Sequence, residues 1–141
     1  MNKKRILIVD DEVGFTHLLR LNLSSTGKYS VQSENSALRA LGAVRQFRPD
    51  LILLDVMMPD LDGGAVAAQL QGHSDTRNIP VVFVTAAVRK DEIAARDGRI
   101  GGDLFVSKPV ELDTLVHRID QILSLAPPPA GAIAAGSNPA R

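Results

Sequence analysis

The chain alternates, five times over, between a short run of apolar, mostly β-branched residues and a longer stretch whose apolar residues recur every three to four positions. The runs are Ile6-Leu7-Ile8-Val9, Tyr29-Ser30-Val31, Leu51-Ile52-Leu53-Leu54, Val81-Val82-Phe83-Val84 and Leu104-Phe105-Val106. A run without polar alternation suits a strand buried on both faces, and a spacing of three and four marks one face of a helix. The pattern therefore predicts repeated βα units, an α/β fold with a parallel sheet between two layers of helix. The second and fifth runs are shorter and more polar and fit the sheet edges.

Five helices are expected between and after the strands. Val13, Leu18, Leu19 and Leu21 to Leu23 supply the first, and Ala37, Leu38, Leu41, Val44 and Phe47 the second, each with one buried stripe. An Ala-rich third runs from about Gly64 to Leu70, and a fourth, with little apolar anchoring, from about Glu92 to Arg99. The fifth carries Leu112, Leu115, Val116, Ile119, Ile122 and Leu123, with Pro109 near its start. After Leu125 the composition turns to Pro, Ala, Gly, Ser and Asn, which cannot bury enough surface to offset ordering. The expected folded unit is residues 3–125, with 126–141 a disordered tail or linker.

Composition removes several classes of chemistry. Sixteen basic residues cancel sixteen acidic ones, so the chain lacks the overall positive field of a nucleic-acid or polybasic membrane binder. With no Cys, disulfide frameworks, thiolate nucleophiles and Cys-based metal sites are excluded, while carboxylate-bound hard cations stay open. The apolar run after Met1-Asn2-Lys3-Lys4-Arg5 ends at Asp10, too early for a signal peptide, and nothing approaches the roughly 18–20 apolar residues of a membrane span. A cytoplasmic protein is expected. His17, His73 and His117 stand at no metal-ligand spacing and are expected on the surface.

In open parallel α/β sheets, ligands bind at the carboxyl ends of the strands. The first run ends in Asp10-Asp11, the third in Asp55, the fourth in Thr85, and the fifth is followed by Lys108-Pro109. If those strands are neighbours, three carboxylates, a hydroxyl and an ammonium converge on one edge. Clustered anions repel, and a small hard cation such as Mg²⁺ relieves the repulsion. Lys108-Pro109 is also a candidate cis peptide, because X–Pro bonds carry a small cis penalty.

Four motifs in this order, Ile8-Val9-Asp10-Asp11-Glu12, Leu54-Asp55-Val56-Met57-Met58-Pro59-Asp60-Leu61-Asp62-Gly63, Val84-Thr85-Ala86 and Lys108-Pro109, resemble the receiver domain of two-component response regulators over residues 3–125. The resemblance implies a flavodoxin-like, doubly wound five-stranded sheet of order 2-1-3-4-5 with five helices. It implies phosphorylation at Asp55, with Thr85 and Lys108 assisting and Thr85 and Phe105 as switch residues. It also implies Mg²⁺ held by Asp11, Asp55, the Met57 backbone carbonyl and waters, with Asp10 acting directly or through water. The expected donor is a sensor histidine kinase or phosphotransfer protein. The output would leave through the fourth helix, fifth strand and fifth helix, to a downstream protein target or a missing C-terminal output domain, with a phosphorylation-dependent homodimer as a further option. No direct nucleic-acid or membrane contact is expected. Because no output domain fits in residues 126–141, the chain is expected to be either a stand-alone receiver or the receiver of a longer regulator.

Two departures from the usual pattern concern lifetime. Met57 and Ala87, two residues beyond Asp55 and Thr85, offer no acid or amide to orient an attacking water, which predicts slow self-dephosphorylation. Asp60 stands where the family often has Gly. Two other functions would suit the same fold: a phosphorylation-independent interaction module, against which the intact acidic set argues, and an aspartyl-phosphate phosphohydrolase, which needs an acid where Met57 stands.

Overall fold

A computed structural model describes residues 3–86, 99–100 and 103–125. Its sheet is built on β1 (Lys4–Val9), which pairs in parallel with β2 (Tyr29–Glu34) on one side and β3 (Leu51–Asp55) on the other. Beyond β3 come β4 (Val81–Thr85) and a last parallel strand, Asp103–Ser107. A two-residue strand, β5 (Arg99–Ile100), pairs antiparallel with that last strand, β6. The order is β2-β1-β3-β4-β6-β5, so the five predicted strands lie in the order 2-1-3-4-5. The added strand makes the sheet's outer edge antiparallel. Arg99, expected to end the fourth helix, instead begins β5; the rest of that helix, Ala87 and residues 126–141 lie outside the described residues.

The apolar runs build two cores because alternate strand residues face opposite sides. Ile6, Ile8, Leu51, Leu53, Val82, Val84 and Val106 pack against Leu19 and Leu23 of α1 (Val13–Ser25) and Leu115 and Ile119 of α4 (Leu112–Leu125). Their neighbours Leu7, Val9, Ile52, Leu54 and Phe83 pack against Ala40 and Val44 of α2 (Ala40–Phe47) and Val66 and Leu70 of α3 (Gly63–Gln71). All five residues of β3 are buried, as a central strand covered on both faces requires.

The helical stripes differ from expectation in two places. On α1 the buried residues are Thr16, Leu19 and Leu23, while Val13, Leu18 and Leu21 are 64%, 60% and 49% exposed. At 100° per residue Leu21 stands nearly opposite Leu19, so these leucines cannot share one face. The predicted second helix is split into a 3₁₀ turn, Ala37–Arg39, followed by α2, and the tighter turn leaves Leu38 exposed. Arg48 ends α2 in the left-handed conformation at φ 54°, and its N–H donates to the Val44 carbonyl at 2.8 Å.

Candidate functional site

The chain winds from β1 to β2 on one side and then crosses to β3 on the other. That reversal opens a crevice at the carboxyl ends of β1 and β3. Asp10 follows β1, Asp55 ends β3, Thr85 ends β4, and Lys108 follows β6. One carboxylate oxygen each from Asp10, Asp11 and Asp55 lies within 4.8 Å of the other two. A shallow pocket of about 360 Å³ opens there, lined by Asp11, Glu12, Asp55, Met57, Ala86 and Lys108. A larger groove of about 440 Å³ between β2 and α2 gathers no acidic cluster; its one acid, Glu34, pairs with Arg39 at 3.1 Å.

Asp10 is held from several directions. Its Oδ1 accepts the Glu12 backbone N–H at 2.9 Å, its own N–H donates to the Glu34 carbonyl at 3.1 Å, and Asn35 Nδ2 donates to its carbonyl at 2.7 Å. It is 1% exposed, and its Oδ2 has no hydrogen-bond donor in proper geometry, although Lys108 Nζ lies 2.8 Å away as an ion-pair partner. A buried carboxylate oxygen lacking a well-aligned donor, beside two further carboxylates, fits the donor set of a hard cation.

Asp55 is also buried, and this pushes its carboxyl above the ordinary value. The charge of Asp10 adds to the rise, while Lys108 and the Met57 backbone N–H oppose it. Lys108 Nζ stands 3.7 Å from Asp55 Oδ1, 2.8 Å from Asp10 Oδ2 and 2.7 Å from Glu12 Oε1, with the Phe15 ring centroid 4.4 Å away. Burial alone would lower the ammonium pKa; the adjacent carboxylates of Asp10 and Glu12 outweigh it and raise the value. The Lys108 backbone N–H donates to the Thr85 carbonyl at 2.9 Å, tying the ends of β4 and β6 together, and the Lys108–Pro109 peptide is cis.

Thr85 is buried at the end of β4, opposite Ser107 in the register. Phe105 lies partly buried on β6, its ring centroid 5.2 Å from that of Phe83. The two methionines divide: Met58 joins the core, while Met57 is 68% exposed at the pocket mouth. His17, His73 and His117 are exposed and outside the pocket lining, as expected.

Two residues of the quoted motifs have roles that their types did not announce. Glu12 is the N-cap of α1, yet its carboxylate caps nothing and reaches Lys108, 96 residues away. Only the approach of two distant loops reveals that contact. Gly63, at the start of α3, lies so close to β3 that an added Cβ would sit 2.2 Å from the Asp55 carbonyl oxygen. Asp60, at φ 69°, adopts the left-handed conformation, which gives a backbone reason for Gly at such a position.

A doubly wound parallel sheet carrying an acidic crevice at its strand ends, with Lys108 directed into it, defines an α/β domain with a candidate site at the carboxyl ends of its strands. The sequence matches the family described as Response regulator receiver domain over residues 6–120, and the chain belongs to it. It is 37% identical over 126 residues to Response regulator MprA of Mycobacterium tuberculosis, covering 88% of this chain and 52% of that protein. It is 34% identical over 120 residues to the DNA-binding dual master transcriptional regulator RpaA of Synechocystis, covering 84% of this chain and 48% of that protein. The chain thus spans about half the length of these relatives. The crystal structure of a response regulator from Desulfuromonas acetoxidans superimposes with a TM-score of 0.71 at 26% identity, covering 86% of this chain and 98% of that one. Among the described residues, no helix is long and apolar enough to cross a membrane.

Proposed function

We propose that the domain is a phosphoacceptor switch that takes a phosphoryl group onto Asp55 from a histidine kinase or phosphotransfer protein. The observation that carries this reading is the convergence of three carboxylates within 4.8 Å, with the partly buried Lys108 ammonium 3.7 Å from Asp55. An Asp55 carboxylate oxygen attacks the phosphorus of a phosphohistidine; the O–P bond forms as the N–P bond breaks, its electron pair leaving with the imidazole. Asp11, Asp55 and the Met57 backbone carbonyl would hold Mg²⁺, with Asp10 acting directly or through water. The bound cation supplies neutralisation of the pocket and of the transferring phosphoryl oxygens.

Lys108 then pairs with one phosphoryl oxygen and the Thr85 hydroxyl bonds another. Drawing Thr85 inward vacates space beside β4, into which Phe105 turns. The altered surface is that of the predicted fourth helix, β6 and α4. The domain catalyses only its own phosphorylation and hydrolysis and is not a turnover enzyme. Its output is a downstream protein target or a C-terminal output domain, a reading supported by relatives of which this chain spans only about half the length. A phosphorylation-dependent homodimer is one form that output can take. The domain itself binds neither nucleic acid nor membrane and works in the cytoplasm.

The test is incubation with Mg²⁺ and acetyl phosphate, read by intact mass, and with beryllofluoride, read by fluorine NMR. Wild type is expected to gain one phosphoryl group and one bound-fluoride signature, and Asp55→Ala neither. Modification that persists in Asp55→Ala would overturn the assignment.

A further inference from the structure

Resting on the phosphoacceptor reading, we infer that Glu12 is a positioning residue that holds the Lys108 ammonium away from Asp55 and so biases the switch toward its resting state. Lys108 Nζ is shared among three acids but not equally. Glu12 at 2.7 Å and Asp10 at 2.8 Å are in ion-pair contact, whereas Asp55 at 3.7 Å is not within hydrogen-bond distance. The Phe15 ring, 4.4 Å from Nζ, closes another side of the ammonium.

The two near partners differ in freedom. Asp10 is fully buried and fixed by the Glu12 backbone N–H, so it cannot follow or release the lysine. The Glu12 side chain is 61% exposed, lines the pocket mouth and makes no helix-cap bond. It is the contact that can break. A phosphoryl group on Asp55 adds anionic oxygens that compete for the same ammonium, and Lys108 must leave Glu12 to meet them. The strength of the Glu12–Lys108 pair is therefore subtracted from the binding of the phosphoryl group. For an ion pair with one exposed partner, that subtraction is about two- to fivefold in affinity.

Glu12→Gln keeps the shape and removes the charge. Glu12→Asp keeps the charge and shortens the reach by one methylene. Neither disturbs a side-chain cap, so both are expected to fold as wild type does.

The experiment titrates beryllofluoride at saturating Mg²⁺ by fluorine NMR, titrates Mg²⁺ alone, and records the Lys108 Cε methylene resonances of the metal-free protein. Both variants are expected to bind beryllofluoride about two- to fivefold more tightly and to shift the Lys108 resonances. Mg²⁺ affinity is expected to change less than beryllofluoride affinity, because Glu12 is outside the Asp10, Asp11 and Asp55 group. Unchanged or weaker beryllofluoride binding by Glu12→Gln overturns the inference. So does a Glu12→Asp variant that matches wild type, because net charge rather than contact would then be responsible. A Mg²⁺ affinity that falls about tenfold or more would make Glu12 a metal ligand instead. Wild-type protein that binds no beryllofluoride at Asp55 overturns both this inference and the phosphoacceptor reading.

Discussion

Replacing Gly63 by Ala should damage both stability and the acceptor site, because Gly63 sits against the backbone that carries Asp55. The new Cβ would lie 2.2 Å from the Asp55 carbonyl oxygen, 2.9 Å from Val56 Cα and 3.0 Å from the Asp55 carbonyl carbon. Real Cβ atoms essentially never come within 3.0 Å of such neighbours, so strand or helix must retreat by about 0.8 Å. All the opposing atoms are backbone, so no side chain can rotate away. Forcing extra volume into a packed site costs about 1–3 kcal/mol.

The retreat also strains the Gly63 N–H bond to the Val56 carbonyl, at 2.9 Å, and the Asp62 cap on the Ala65 N–H, at 2.8 Å. Each is worth about 1 kcal/mol. With both bonds lost the sum to expect is about 3–5 kcal/mol, read by urea unfolding. Below the unfolding midpoint, beryllofluoride affinity should fall at least tenfold, since about 1 Å of misplacement at a reacting group can cost about 100-fold. Gly42→Ala is the control: it lies within α2 and its Cβ would meet nothing within 4 Å. It should stabilise by about 0.5–1 kcal/mol through helix propensity. A Gly63→Ala protein that unfolds within 1 kcal/mol of wild type (about the size of one lost hydrogen bond) and binds beryllofluoride normally would refute the argument.

Arg48→Gly should raise stability by about 0.5–1 kcal/mol, because a side chain pays for the left-handed conformation that ends α2 and Gly does not; urea unfolding that shows a loss would contradict this. In metal-free protein, burial and the charge of Asp10 raise the Asp55 pKa, so the folded state holds that proton longer than the unfolded chain. Its stabilising contribution is complete below the ordinary carboxylate value of about 4 and is lost as pH rises through the raised value. Asp55→Asn should therefore gain on wild type at neutral pH by a margin that shrinks toward pH of about 4; a margin independent of pH in chelator-treated unfolding would sink the idea. Met57→Asn and Ala87→Glu should each speed loss of the phosphoryl group by providing a polar group to orient water, followed by a decay time-course; no acceleration in either variant would remove both residues from the account of lifetime.

The strands were legible because their signal is local. Four consecutive apolar residues in β1, β3 and β4 admit no polar face, and the two cores divide those residues by parity. The helix faces were less legible where apolar residues exceed what one face can hold. Val13, Leu18 and Leu21 of α1 carry the same chemistry as Leu19 and Leu23, and only the direction from which the sheet approaches decides which are covered. Leu38 was lost to the core because the chain tightens into a 3₁₀ turn at Ala37–Arg39 before α2 begins.

The acidic site was legible residue by residue, since Asp10, Asp55, Thr85 and Lys108 each stand at or just after a strand end and the topology makes those ends neighbours. What spacing along the chain could not convey is the competition among them. Zero net charge suggested balance, yet the partly buried Lys108 ammonium faces Asp10, Glu12 and Asp55 while Asp11 adds a fourth acid. Lys108 stays close to Asp10 and Glu12 and stands farther from Asp55. Unequal sharing of the Lys108 ammonium keeps the carboxylate proposed to attack phosphorus out of direct hydrogen-bond contact with it, and it leaves the lysine something to do once that carboxylate has reacted.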